Sequence, residues 1–130
     1  MVCLDTSFII ALIRRDQGAE SKLESHIASE ARLSTTPIAA CELFRGAYKS
    51  MRKDIELKKV RDILGQLEIL HFTIEACERY GKLAEELEAA GRPIGDLDAM
   101  IASLALTHNE PILTSDKHFK KVPSLIIETW

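Results

Sequence analysis

The chain has 130 residues, 46% hydrophobic and 28% charged, with four prolines and six glycines, which is enough for one core and excludes a disordered or low-complexity class. A net charge of -3 excludes a global attraction to nucleic acid, so a polyanion would have to be met by a local basic cluster or a bound cation. The three cysteines, Cys3, Cys41 and Cys77, are odd in number, far apart and set among apolar neighbours, which excludes a disulfide framework or zinc site and predicts buried, reduced thiols in a cytoplasmic protein.

Val2 to Leu4 reads as a short buried strand ending at Asp5; Thr6 and Ser7 then lead into the apolar helix Phe8 to Ile13, with a hydroxyl placed to cap its first turn. That apolar run is far shorter than the about 20 residues of a membrane span, and Asp5 interrupts any signal-peptide pattern. A second helix is expected from about Ala19 to Ser29 and a strand at Arg32 to Thr35. Pro37 suits the first turn of a third helix, in which Ile38, Cys41, Leu43, Phe44 and Ala47 cover much of the circumference with apolar groups. Lys53 to Leu64 is amphipathic, and Glu68 to Leu70 is a strand candidate. From Thr73 to Ala90 an apolar stripe recurs at Ala76, Tyr80, Leu83, Ala84 and Leu87 until Gly91-Arg92-Pro93 ends it. Asp96 to His108 is a helix rich in small residues, and Pro111 to Thr114 and Ser124 to Ile127 are the last strands. Strands alternating with helices predict one α/β domain over residues 1–130, its mostly parallel sheet covered on both faces.

Open α/β sheets place their sites at the carboxyl ends of strands, where Asp5 and Asp116 both fall. Asp5 would otherwise simply cap a helix. Glu42 lies among apolar neighbours, where a glutamate needs either solvent or a partner, and Arg45 or Arg14 would serve. Asp96 and Asp98 both stand at a helix start; two residues apart they face opposite ways, so Asp96 is expected to cap while Asp98 projects onward. Thr114-Ser115-Asp116 taken alone is an ordinary turn. One reading accommodates all four acids: converging carboxylates repel unless a divalent cation neutralises them, and all-oxygen ligation suits Mg2+ or Mn2+. Such an ion polarises a phosphodiester and activates water, and the hydroxyls of Thr6, Ser7 and Thr114 would orient its ligands.

Four segments occur in order: Leu4-Asp5-Thr6-Ser7, Glu42-Leu43-Phe44-Arg45-Gly46-Ala47, Gly91-Arg92-Pro93-Ile94 leading to Asp98-Ala99-Met100-Ile101-Ala102-Ser103, and Leu113-Thr114-Ser115-Asp116 followed by His118-Phe119. On these the chain resembles, nearly end to end, the PIN-domain proteins of the VapC toxin type. The resemblance implies a three-layer α/β/α fold and a Mg2+-dependent endoribonuclease whose acidic quartet falls on Asp5, Glu42, Asp98 and Asp116. It also implies a homodimer silenced by a cognate antitoxin whose tail enters the active site. Ser115 stands where many relatives have asparagine, which leaves the ligands untouched. Arg14, Arg15, Arg45, Lys49, Arg52, Lys117 and Lys120 could track RNA phosphates, or simply be solvated surface.

Other readings are a housekeeping RNA-processing nuclease and a non-catalytic binding scaffold of the same fold. A haloacid-dehalogenase-like phosphotransferase would need a second aspartate two residues after the first, where this chain has Ser7. His26, His71, His108 and His118 show no ligand spacing and read as surface or packing residues.

Overall fold

Alternation along two short strands builds the centre of the molecule: Val2, Leu4 and Leu113 bury on one face of the sheet, Cys3 and Ile112 on the other. The computed structural model describes residues 1–130. Its strands are β1 (Val2–Leu4), β2 (Leu33–Thr35), β3 (Glu68–Ile69), β4 (Ile112–Leu113) and β5 (Ile127–Glu128). Its helices are α1 (Thr6–Ile13), α2 (Gln17–Ala28), α3 (Pro37–Lys49), α4 (Lys53–Leu64), α5 (Ile74–Ala89) and α6 (Asp96–Thr107). A 3-10 turn, Lys117–Lys121, joins β4 to β5.

All strand pairs are parallel, in the order β3-β2-β1-β4-β5. The chain steps outward from β1 to β2 and β3, then returns to the other side of β1 to lay down β4 and β5. The order therefore reverses between β1 and β4, and a crevice at the carboxyl ends of the strands opens there.

Helices cover both faces, giving the three-layer α/β/α arrangement. One core holds Leu83 and Leu87 of α5, Ile101, Leu104 and Ala105 of α6, and Phe119. The other holds Phe8 and Ile9 of α1, Leu43 and Ala47 of α3, and Leu57 and Val60 of α4. Ala99, Ala102 and Ala105 are at most 1% exposed, so their small side chains let α6 lie close to its neighbours. Phe8 is fully buried and meets Trp130 edge to face, the ring centroids 4.9 Å apart at 74°. Truncating such a phenylalanine to alanine costs about 3–5 kcal/mol.

The helix starts follow local chemistry. Asp16 accepts from the Ala19 N–H at 2.8 Å, Thr36 from Ala39 at 3.0 Å with Pro37 in the first turn, and Thr73 from Ala76 at 3.1 Å. Three expectations need correction. Cys41 and Cys77 are exposed and only Cys3 is buried, because the first two project from the outer faces of α3 and α5. The final strand is confined to Ile127–Glu128, since Ser124 takes a left-handed conformation (φ 67) that delays pairing with β4. No side chain caps α1; the Thr6 and Ser7 hydroxyls are engaged elsewhere.

Candidate active site

Asp5 and Thr114 follow directly on β1 and β4, so parallel pairing of these strands brings them to the same edge of the sheet. Asp5 holds the N-cap position of α1 in an extended conformation, yet makes no capping bond. Its Oδ2 instead accepts from the Thr114 hydroxyl at 2.7 Å and the Ser7 hydroxyl at 3.2 Å. Those hydroxyls in turn accept backbone N–H groups of the following loop, Asp116 onto Thr114 at 3.0 Å and Ser115 onto Ser7 at 3.1 Å. Asp5 is thereby locked to the segment that carries Asp116. Only 4% of Asp5 is exposed. Burial raises its pKa, repulsion from Glu42 adds to this, and hydrogen bonds from Thr114, the Thr6 backbone and Ser7 oppose it.

Glu42 lies on α3, where Leu43 and Ala47 turn inward and leave it half-buried beside α1. Its Oε1 accepts from the Thr6 hydroxyl at 2.8 Å. Neither Arg14 nor Arg45 forms an ion pair with it, so the structural salt bridge considered from sequence is not made.

Asp96 and Asp98 separate, but Asp96 does not cap. Gly95 is the N-cap residue, and Asp96 accepts from the Tyr80 hydroxyl at 3.0 Å, tying α6 to α5. Asp96 is already the first residue of the helix, so the capping position falls to Gly95. Asp98 faces the crevice. Burial pushes its carboxyl up to about 6, followed by repulsion from Asp116, Asp5 and Glu42, while His118 pulls the other way. The structure thus brings Asp5, Glu42, Asp98 and Asp116 close enough to act on one another. No lysine or arginine pairs with any of them.

Asp116 opens the 3-10 turn and accepts the His118 N–H at 2.9 Å. The His118 ring was not anticipated as part of this cluster: its Nδ1 lies 3.1 Å from Asp116 and 3.7 Å from Asp98. The Asp-Lys-His spacing directly after a strand was the available signal, because a tight turn folds the third residue back over the first.

Two grooves meet at Glu42. Cys41, Arg45, Gly46, Lys49 and Leu97 line one beside Glu42. The other runs between α1, α3 and α4 over Ile10, Ile13, Leu43, Ala47 and Val60, with Arg14, Arg15 and Lys59 on its rim, and also reaches Glu42. Arg15 is partly occupied by Glu20 at 2.9 Å.

Residues 2–125 match the PIN domain. The chain is 33% identical over 128 residues to ribonuclease VapC2 of Rickettsia felis, covering 98% of this chain and 96% of that protein. It is 30% identical, with the same coverage, to the tRNA(fMet)-specific endonuclease VapC of Salmonella typhimurium. The crystal structure of VapBC2 from Rickettsia felis bound to a DNA fragment from their promoter contains a chain that superposes with a TM-score of 0.91 at 33% identity, covering 100% of this chain and 99% of that one. With a domain match over most of its length and a full-length relative sharing a third of its residues, the chain belongs to the PIN domain family.

Proposed function

We propose that this single-domain protein is a divalent-metal-dependent endoribonuclease, the toxin of a VapBC-type pair, acting in the cytoplasm through Asp5, Glu42, Asp98 and Asp116. The observation that carries this reading is a set of four mutually repelling carboxylates at the strand-order reversal, unpaired with lysine or arginine, one of them driven up to about 6. Such a donor set is poorly stable alone and suits a hard cation, Mg2+ or Mn2+. When bound, that ion supplies Lewis-acid polarisation of a phosphodiester and a nucleophilic water at neutral pH.

The chain's own residues supply position. Thr114 and Ser7 fix the Asp5 carboxylate and Thr6 fixes Glu42, so ligand geometry is set before the ion arrives. Exposed Arg45 and Lys49 line the groove beside Glu42, and exposed Lys117 and Lys120 lie on the turn that Asp116 opens; these cations can hold phosphates of a bound RNA strand. Arg14 and Arg15, just past the end of α1, and Arg52, just before α4, add further exposed basic groups. A cognate antitoxin is the natural inhibitor, since the mixed polar and apolar groove between α1, α3 and α4 includes Glu42 and a segment seated there meets that acid. Exposed Tyr48 on α3, Met51 in the connection and Ile55 on α4 support a homodimer. No helix is long and apolar enough to cross a membrane.

The test is cleavage of single-stranded RNA and thermal melting measured together, for wild type and Asp98→Asn, with and without Mg2+. Asp98→Asn should cut at least roughly a hundredfold more slowly, and should melt higher than wild type without metal. A mutant cutting at the wild-type rate, or a wild type whose melting ignores millimolar Mg2+, would overturn the reading.

A further inference from the structure

His118 extends beyond the acidic quartet. Its only hydrogen bond to Asp116 runs from the backbone N–H, while the ring Nδ1 lies 3.1 Å from the same carboxylate. The imidazole therefore stands beside two carboxylates without a hydrogen bond to either. One donor atom each from Asp98, Asp116 and His118 falls within a span of 4.8 Å. A six-coordinate ion with bonds of about 2.1 Å sets neighbouring donors about 3.0 Å apart and opposite ones about 4.2 Å apart. The separation of 3.1 Å from Asp116 matches neighbouring donors and that of 3.7 Å from Asp98 lies between the two spacings, so a shift of less than about 1 Å places the three donors on one face of such an ion. The ring is 59% exposed and can turn without disturbing the core.

We propose that His118, through the ring nitrogen facing the carboxylates, is a nitrogen ligand to the ion held by Asp98 and Asp116, and that it biases the site toward Mn2+ over Mg2+. This rests on the metal-nuclease reading and adds the identity of a ligand and the preferred ion. Mg2+ holds water and oxygen donors and gains little from imidazole, whereas a later divalent ion gains a full ligand. The 3-10 turn serves this purpose, because it bends His118 back over Asp116 where an extended chain would carry it away.

The experiment uses the full chain, wild type and His118→Ala, titrated calorimetrically with Mn2+ alone and Mg2+ alone, with pulsed electron paramagnetic resonance on the Mn2+-loaded samples. Wild type should bind Mn2+ at least roughly tenfold more tightly than Mg2+ and show modulation from a coordinated nitrogen nucleus. His118→Ala should lose that modulation and most of the Mn2+ preference, keep its Mg2+ affinity within about twofold, and melt like wild type without metal. Mn2+ bound by wild type with no nitrogen signal would sink this assignment and leave the nuclease reading standing. So would an alanine variant that weakens both ions alike or binds either more tightly. A wild type that binds neither ion would overturn both.

Discussion

The Thr6 hydroxyl donates to Oε1 of Glu42 at 2.8 Å, joining the first residue of α1 to the middle of α3 across 36 positions of sequence. This bond holds Glu42 toward the crevice, because no cation pairs with it there. Thr6→Val keeps the shape of the side chain and removes the donor. Stability should fall by about 0.5–1.5 kcal/mol, the net worth of one hydrogen bond, while divalent-ion affinity falls by roughly tenfold as the ligand loses its orientation. Thr6→Ser should restore both. Calorimetric titration and chemical denaturation check this; unchanged ion binding in Thr6→Val would show that Glu42 needs no orienting partner.

The carboxyl of Asp98 gives a pH dependence with a defined sign. Its pKa rises from 3.8 in the unfolded chain to about 6 in the fold, so the folded state keeps the proton over a range where the unfolded state has lost it. The stability this provides is present below pH 3.8 and is lost as the pH rises through about 6. An added divalent ion needs the ionised form, so its effect runs the other way. The rise in melting temperature on adding Mg2+ should grow between about pH 5 and about pH 7, and Asp98→Asn should abolish that growth. An equal Mg2+ effect across the window would contradict the assignment.

At the opposite end of the sheet Glu110 is 4% exposed. Its Oε2 accepts from the Ser34 hydroxyl, and its Oε1 has no partner. Ser34 also lies 3.2 Å from the Val2 carbonyl, and a single hydroxyl hydrogen cannot serve both acceptors. Burial raises the Glu110 pKa, with Glu68 adding a smaller push; the Ser34 bond, the terminal amine and His108 oppose it. The resulting stability is present below the unfolded value of 4.5 and is lost as the pH rises through the raised one. Glu110→Gln cannot ionise and can donate to Ser34, freeing the hydroxyl for Val2. It should melt higher than wild type at neutral pH, with a flatter dependence on pH. A lower melting temperature at neutral pH would mean that the ionised carboxylate is stabilising.

The cysteines divide by position. Cys3 is fully buried in the central strand, and burial, then repulsion from Glu110 and Asp5, raises its thiol pKa far above the usual range. Cys41 and Cys77 are exposed on separate helices. A thiol reagent added to the native protein should label Cys41 and Cys77, and Cys3 only after unfolding. Labelling read peptide by peptide in a mass spectrometer checks this; Cys3 modified at the rate of the others would show that β1 opens readily.

Hydrophobic period, caps and breakers act over a few residues, so the elements could be read along the chain. The Lys53–Leu64 helix has the limits its amphipathic pattern predicts, and Pro37 starts α3 as its fixed geometry requires. The placement of Asp5 and Asp116 after strands was equally legible, because a short apolar run ending in a charge marks where a buried strand meets solvent. Partners are set by packing between distant segments, and there local reading failed. Asp96 looked like a cap until Tyr80, sixteen residues earlier, was brought against it by the pairing of α5 and α6. Cys41 and Cys77 looked buried because their neighbours are apolar, but helix rotation turned them outward. The Asp-Lys-His spacing could set His118 beside Asp116, but it reached Asp98 only because the turn after β4 closes beside the start of α6. Local sequence determined which segments became strand or helix and where charge met their ends. The sheet order, and with it which acids and which histidine share one crevice, came from burying both faces of a central strand at once, a constraint that exists only once the whole chain has packed.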